Sequence, residues 1–155
     1  MGVSAEIEFL KTWKFRVQIE GAPNTELLFN KIDGIESEFA IVETSVGGEI
    51  TPRKSPGKRK FADITAEQGQ TNSNFAWEWH NLAGDAVSGN SVPEDLKRTV
   101  TIFVYGDKGD IVKTVTARKA WISKYVFGTL DASEEGATIV EQITIVCEEI
   151  KIATS

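Results

Sequence analysis

A mainly β fold (α+β), arranged as a small antiparallel β-barrel or as two packed sheets with one α-helix and a long projecting hairpin, is what this sequence predicts. Three observations lead there. Extended segments alternate apolar and polar residues with a period of two, β-branched and aromatic residues crowd those segments, and only one stretch carries apolar residues at helical spacing. The 155 residues fit a single domain spanning 1–155, long enough to bury a core.

Taken in order, residues 1–12 read as an N-terminal arm. "WKFRVQIE" (13–20) then sets Trp13, Phe15, Val17 and Ile19 on one face and Lys14, Arg16, Gln18 and Glu20 on the other. "LLFNKIDGIESEFAIVET" (27–44) reads as two extended pieces broken at Asp33-Gly34, where glycine admits a bend. The arms "GGEITPRK" and "KRKFADITAE" flank Pro56-Gly57, a strong turn dipeptide, so 46–66 reads as a hairpin whose cationic tip is 53–60. The one helical segment is 71–84: Asn72 or Ser73 serves as N-cap and Gly84 as the stop. Phe75, Trp79 and Leu82 or Ala83 form its apolar stripe, and Trp77 faces the other way. Residues 85–95 form a polar loop. "TVTIFVY" (99–105), the turn "GDKGD" (106–110) and "IVKTVTA" (111–117) make a hairpin, and 119–127 and 137–152 complete about seven strands.

Charge is distributed in blocks. The net charge is −6, yet 1–50 sum to −5, 51–60 to +5, 61–96 to −6, 97–130 to +5 and 131–155 to −5. A nucleic-acid binder is more often basic overall, and no aromatic interleaves the run "RKSPGKRK" as single-strand platforms require. Alternating blocks suit a chain that meets copies of itself, basic part against acidic part. The run therefore has three readings: a solvated loop, a docking arm on an acidic neighbour, or a direct phosphate contact.

Chemistry is sparse. His80 is the one histidine and is expected on the exposed side of the helix; no HExxH, CxxC or His-rich run accompanies it, so no metal site or cofactor is expected. Cys147 shares a strand face with Ile143 and Ile145 and reads as a buried, inert thiol. The glycine-rich turns lack the GxxxxGK[ST] spacing of a phosphate loop, and "ASEEG" with "CEE" does not match a calcium loop. No catalytic constellation emerges, so no enzyme is expected. No apolar run of about 18 residues is present, so no membrane anchoring is expected. "MGVSAEIEFLK" lacks the basic and apolar regions of a secretory signal, and a lone cysteine points to a reducing cytoplasm.

The ordered series "FRVQIEG", "KIDGIESE", "GGEITPRKSPGKRKF", "DITAEQG", a Trp-containing helix, "KAWISKY" and "LDASEEGATIVEQITI" resembles the tail-tube (inner tube) family of contractile phage tails and contractile injection systems. The matches run from about residue 13 to 150. The resemblance implies a ring-forming subunit: six copies per ring, rings stacked into a hollow rigid tube, and a surrounding sheath whose contraction drives the tube through a target envelope. It implies as partners further copies of the chain, the sheath protein, baseplate or tube-initiator proteins, tube-terminating proteins, and DNA or protein cargo in the lumen. It also implies assembly in a bacterial cytoplasm, as part of a virion or injection particle. The hairpin with the Gly-Gly and PGK segments would then carry the subunit interface: Gly47, Gly48, Arg53, Lys54, Pro56, Gly57, Lys58 and Arg59, with Glu36, Glu38, Glu134 and Glu135 as acidic partners. Two rivals share the fold, a tube initiator and a type VI secretion ring protein. A third, of another class, is a monomeric ligand-binding β-barrel using Trp77 and Trp79.

Overall fold

The computed structural model describes residues 7–22, 29–88 and 96–154. Its elements run in the order β1 (Phe15–Ile19), β2 (Phe29–Asp33), β3 (Ser37–Thr44), β4 (Arg53–Phe61), β5 (Ile64–Gly69), α1 (Phe75–Val87), β6 (Arg98–Tyr105), β7 (Ile111–Val126), β8 (Val140–Val146) and β9 (Glu149–Thr154). Every pairing is antiparallel. One hydrogen-bonded path runs β1-β6-β7-β8-β5-β2, with β9 added beside β7; β3 and β4 form a separate two-stranded sheet.

The long strand β7 organises this arrangement. Its first half pairs with β6 and β9, and its second half pairs with β8. Between Arg98↔Ala120 and Val100↔Ala117 the ladder advances two residues on β6 and three on β7, a bulge at Arg118-Lys119. Lys119 accordingly takes φ 52°, and the strand turns there from one sheet into the other. The two strands read at 111–117 and 119–127 are thus a single bent one. The closing segment 137–152 is in turn divided, into β8 and β9. Nine strands are present among the described residues rather than about seven, because 53–61 and 64–69 also pair.

Period-two patterning decides the core. Ile64 and Ala66 of β5 stand opposite Ile145 and Ile143 of β8, all buried. They meet Ile19, Val100, Ile102, Val115, Ala117, Ile122 and Ile150 from the other strands in one cluster. Helix α1 closes it with Ala76 and Trp79. Trp79 is 1% exposed, donates its indole N–H to the Leu96 carbonyl at 2.7 Å, and lies under the Arg98 guanidinium.

Several expectations shift in the helix. It starts after Asn74 rather than after Asn72 or Ser73, and Gly84 lies inside it; Ser88 caps the end by donating to the Gly84 carbonyl. Of the loop expected at 85–95, residues 85–87 are helical, 88 ends the helix, and 89–95 lie outside the described residues, as do 1–6 of the expected N-terminal arm. His80 is half-buried against β7, its Nδ1 2.9 Å from the Ile122 carbonyl, instead of facing solvent. Trp77 packs edge-on to Tyr125 at 5.3 Å.

Candidate functional site: an exposed hairpin and an acidic trough

The hairpin β3–β4 differs from the other described strands in its exposure and in its separate sheet. All eight residues of β3 are exposed, including Phe39, Ile41 and Val42. Isolated two-stranded hairpins are marginal in water, and both outer edges of this one leave backbone groups unpaired. Its base is tied to the body: Ala62 donates to the Glu36 carbonyl, and Phe61 and Ile35 pack against the core. Gly34 makes the entry possible. At φ 90° it brings the chain so close to β5 that an added Cβ would lie 2.3 Å from the Asp63 carbonyl oxygen.

The register corrects the expectation of a turn at Pro56-Gly57 and of a cationic tip at 53–60. Residues 53–61 are a strand, Pro56 stands opposite Ile41, and the hairpin is Ser37–Phe61 rather than 46–66. The connection is 45–52, where Gly48 has φ 87° and the Glu49 amide bonds the Val46 carbonyl. β4 has one neighbour only, so a residue without an N–H is tolerated in it. Between Phe39↔Arg59 and Ile41↔Pro56 the ladder advances two residues on β3 and three on β4, a bulge at Gly57-Lys58. Glycine keeps the contact loose there: a Cβ would come 3.1 Å from both the Ala40 carbonyl and the Val42 side chain, close enough that they would have to give by a few tenths of an ångström.

Cross-strand pairs share a face, so the register sorts the hairpin into two surfaces. One is apolar: Phe39, Ile41, Pro56 and Phe61, with Arg59 lying over the Phe39 and Phe61 rings at 5.1 and 4.7 Å and donating to the Ser37 hydroxyl. Lys54 and Glu43 flank it, 4.0 Å apart. The opposite surface carries Arg53, Lys58 and Lys60 around a flat centre of Ala40, Ser55 and Gly57. Arg53 is held by both carboxylate oxygens of Glu49, at 2.8 and 3.2 Å. Lys58 and Lys60 make no ion pair among the described residues.

The acidic candidates fall in two places. Glu36 immediately precedes the hairpin, and Glu38 on β3 stands opposite Lys60 on β4, so it offsets charge within its own hairpin. Glu134 and Glu135 lie on the turn after β7. Ser133 donates both its amide and its hydroxyl to Asp131 there, holding that carboxyl below the usual range. Glu134, Asp131 and Glu67 line a trough of about 640 Å³ whose apolar walls include Val126, Leu130 and Val140. Leu130 is 72% exposed. The trough lies on the solvent face of β5 and β8, opposite the face that fills the core.

A model of the T4-like virus tail tube protein gp19 family matches residues 11–151. The chain belongs to that family. It is a structural subunit of a tail tube. No curated protein sequence matches it. Among solved structures it is similar to the anti-feeding prophage tube-terminating cap, with 21% identity, 100% of this chain and 97% of that chain covered, and a TM-score of 0.80. It is also similar to a chain of the PVC extracellular contractile injection system sheath–tube complex in the extended state (18% identity, 94% and 92% covered, TM-score 0.75). A third likeness is to Hcp1 from Flavobacterium johnsoniae (16% identity, 95% and 97% covered, TM-score 0.50). At these identities the likeness is one of fold.

In this tail tube subunit Trp79 lies in the core cluster and Cys147 packs against it. Burial, with Asp63 nearby, pushes the Cys147 thiol up, away from the thiolate a nucleophile needs; it is half-buried rather than buried. Trp79 is core and offers no binding surface. Reasoning from sequence missed Glu67 and Asp131 in the trough and the apolar hairpin face of Phe39, Ile41 and Phe61. The apolar run in "SEFAIVET" belongs to a segment read as extended, and nothing in it tells an exposed strand from a buried one.

Proposed function

We propose that six copies of this chain close into a ring, and that rings stack into a hollow tube which a contracting sheath drives through a target envelope. The role is mechanical and non-catalytic. Its partners are further copies, a sheath protein, baseplate or initiator proteins and a terminating cap, with DNA or protein cargo in the lumen, in a phage or injection particle assembled in the bacterial cytoplasm. The observation that carries the reading is the hairpin Ser37–Phe61, whose first strand is exposed along its whole length and which therefore needs a cover that the described residues do not supply. The occurrence of similar chains in a sheath–tube complex and a tube-terminating cap supports it.

On this reading the chain is one tail-tube domain over 1–155 with an arm at 1–12. Gly47, Gly48, Arg53, Lys54, Pro56, Gly57, Lys58 and Arg59 form the donor side of the contact, and Glu36, Glu38, Glu134 and Glu135 are its acidic candidates. A heterologous contact of this type closes into a ring when its rotation allows. The test is negative-stain electron microscopy with size-exclusion chromatography across a concentration series, with and without baseplate and sheath components. Rings or filaments are expected. A monomer that persists under all of these conditions refutes the proposal.

A further inference from the structure

Two exposed surfaces among the described residues are complementary in charge. The hairpin's basic face presents Arg53, Lys58 and Lys60, partly offset by Glu49 on Arg53 and by Glu38 opposite Lys60, around a centre of Ala40, Ser55 and Gly57, side chains small enough for close approach. The trough presents Glu67, Asp131 and Glu134 between the exposed apolar groups Val126, Leu130 and Val140. Val42, 48% exposed on the same hairpin face, supplies an apolar group to meet them. Among the described residues the two do not meet: β3 and β4 pair with each other, while the trough lies against β5, β7 and β8. Lys31, opposite Glu67 in the β2–β5 register, forms no salt bridge with it and leaves the acidic excess standing.

We propose that the trough of Glu67, Asp131, Glu134 and Leu130 is the socket for the cationic face of a neighbouring copy's hairpin. The inference rests on the tube-subunit reading and specifies its contact. Lys58 and Lys60 seat against the three carboxylates, Val42 packs on Leu130, and the flat centre at Gly57 lets the two backbones approach. Like-charge juxtaposition across an interface is strongly unfavourable, which makes the pairing testable by reversal.

Two variants suffice. Ser55→Glu/Lys58→Glu makes the hairpin face acidic, and Glu67→Lys/Glu134→Lys makes the trough basic; circular dichroism and thermal melting first establish that each is folded. Each alone is expected to lose sedimentable tube by at least about tenfold. A 1:1 mixture is expected to rebuild tubes, because the acidic hairpin now fits the basic trough and the native hairpin fits the native trough. If wild type builds tubes while the mixture does not, or if the trough variant builds tubes alone, the socket assignment is wrong and the tube reading stands. If wild type forms no rings under any condition, the tube reading itself fails. Should either charge variant not fold, Lys58→Cys/Glu134→Cys in a Cys147→Ser background replaces it. Oxidation of assembled material should then give a ladder of linked copies absent from Lys58→Cys alone, and no ladder overturns the proposal.

Discussion

On the core side of β5 and β8, the third inward pair is polar where the first two are aliphatic. Gln68 and Glu141 are 4% and 6% exposed, and the Gln68 amide donates to one carboxylate oxygen of Glu141. The Tyr125 hydroxyl donates to the other at 2.5 Å and itself accepts from Gln70, whose amide also reaches the Phe127 carbonyl. Tyr125→Phe therefore removes one donor from a buried carboxylate while Gln70 and Glu141 each keep another partner. A hydrogen bond to a charged group contributes about 1.5–3 kcal/mol; the half-exposed position of Tyr125 and the surviving bonds place the loss near the lower end, about 1.5–2 kcal/mol. For a domain of this size that lowers Tm by about 3–8 °C. The assay is urea unfolding followed by tryptophan fluorescence, in the Ser55→Glu/Lys58→Glu background so that assembly does not contribute. The same residue supplies a pH signature. Burial, and next the bond to Glu141, raise the Tyr125 pKa above its ordinary value. A raised folded-state pKa gives a contribution that is fully present below the unfolded value of about 10 and is lost as pH rises through the folded one. Wild type and Tyr125→Phe should therefore differ most below pH ~10 and converge above it. A stability loss under about 0.5 kcal/mol, or a gap constant from neutral pH to about pH 11, refutes the network as described.

Lys119→Gly should stabilise the subunit. The left-handed backbone costs a side chain about 1–2 kcal/mol and glycine gives back about 0.5–1 in unfolded-state entropy, while the exposed Lys119–Glu148 pair contributes little; a net gain of about 0.5–1 kcal/mol is read from thermal melting. Gly34→Ala should cost at least about 2 kcal/mol, since positive φ and the Asp63 carbonyl both oppose a Cβ. It should also reduce tube yield beyond what the melting temperature predicts, because the hairpin entry shifts. Trp79→Ala removes the largest buried side chain and its bond to Leu96, at about 3–5 kcal/mol, and should leave the domain unfolded or molten by near-UV circular dichroism.

The tube-family resemblance and the mainly β fold were legible in the chain itself. So were the hairpin at 106–110, the bend at Gly34 and the stripe of Phe75 and Trp79. These depend on local chemistry: alternation of side chains, the conformational freedom of glycine, and the spacing of apolar residues on a helix. Pro56-Gly57 misled for an instructive reason. Its local preference is a turn, yet on an edge strand proline removes no needed bond and glycine fills a bulge against Ala40, so pairing with β3 overrode it. Exposure was equally out of reach. "SEFAIVET" carries as much apolar character as strands that form the core, and only tertiary packing leaves it uncovered. The trough needed the same information, because Glu67 and Glu134 are far apart in sequence and meet only once β5, β7 and β8 are laid side by side. Sequence by itself determined which segments extend and which family they make; the tertiary structure alone decided which of their faces remain open, since burial belongs to the packed whole and to no single strand.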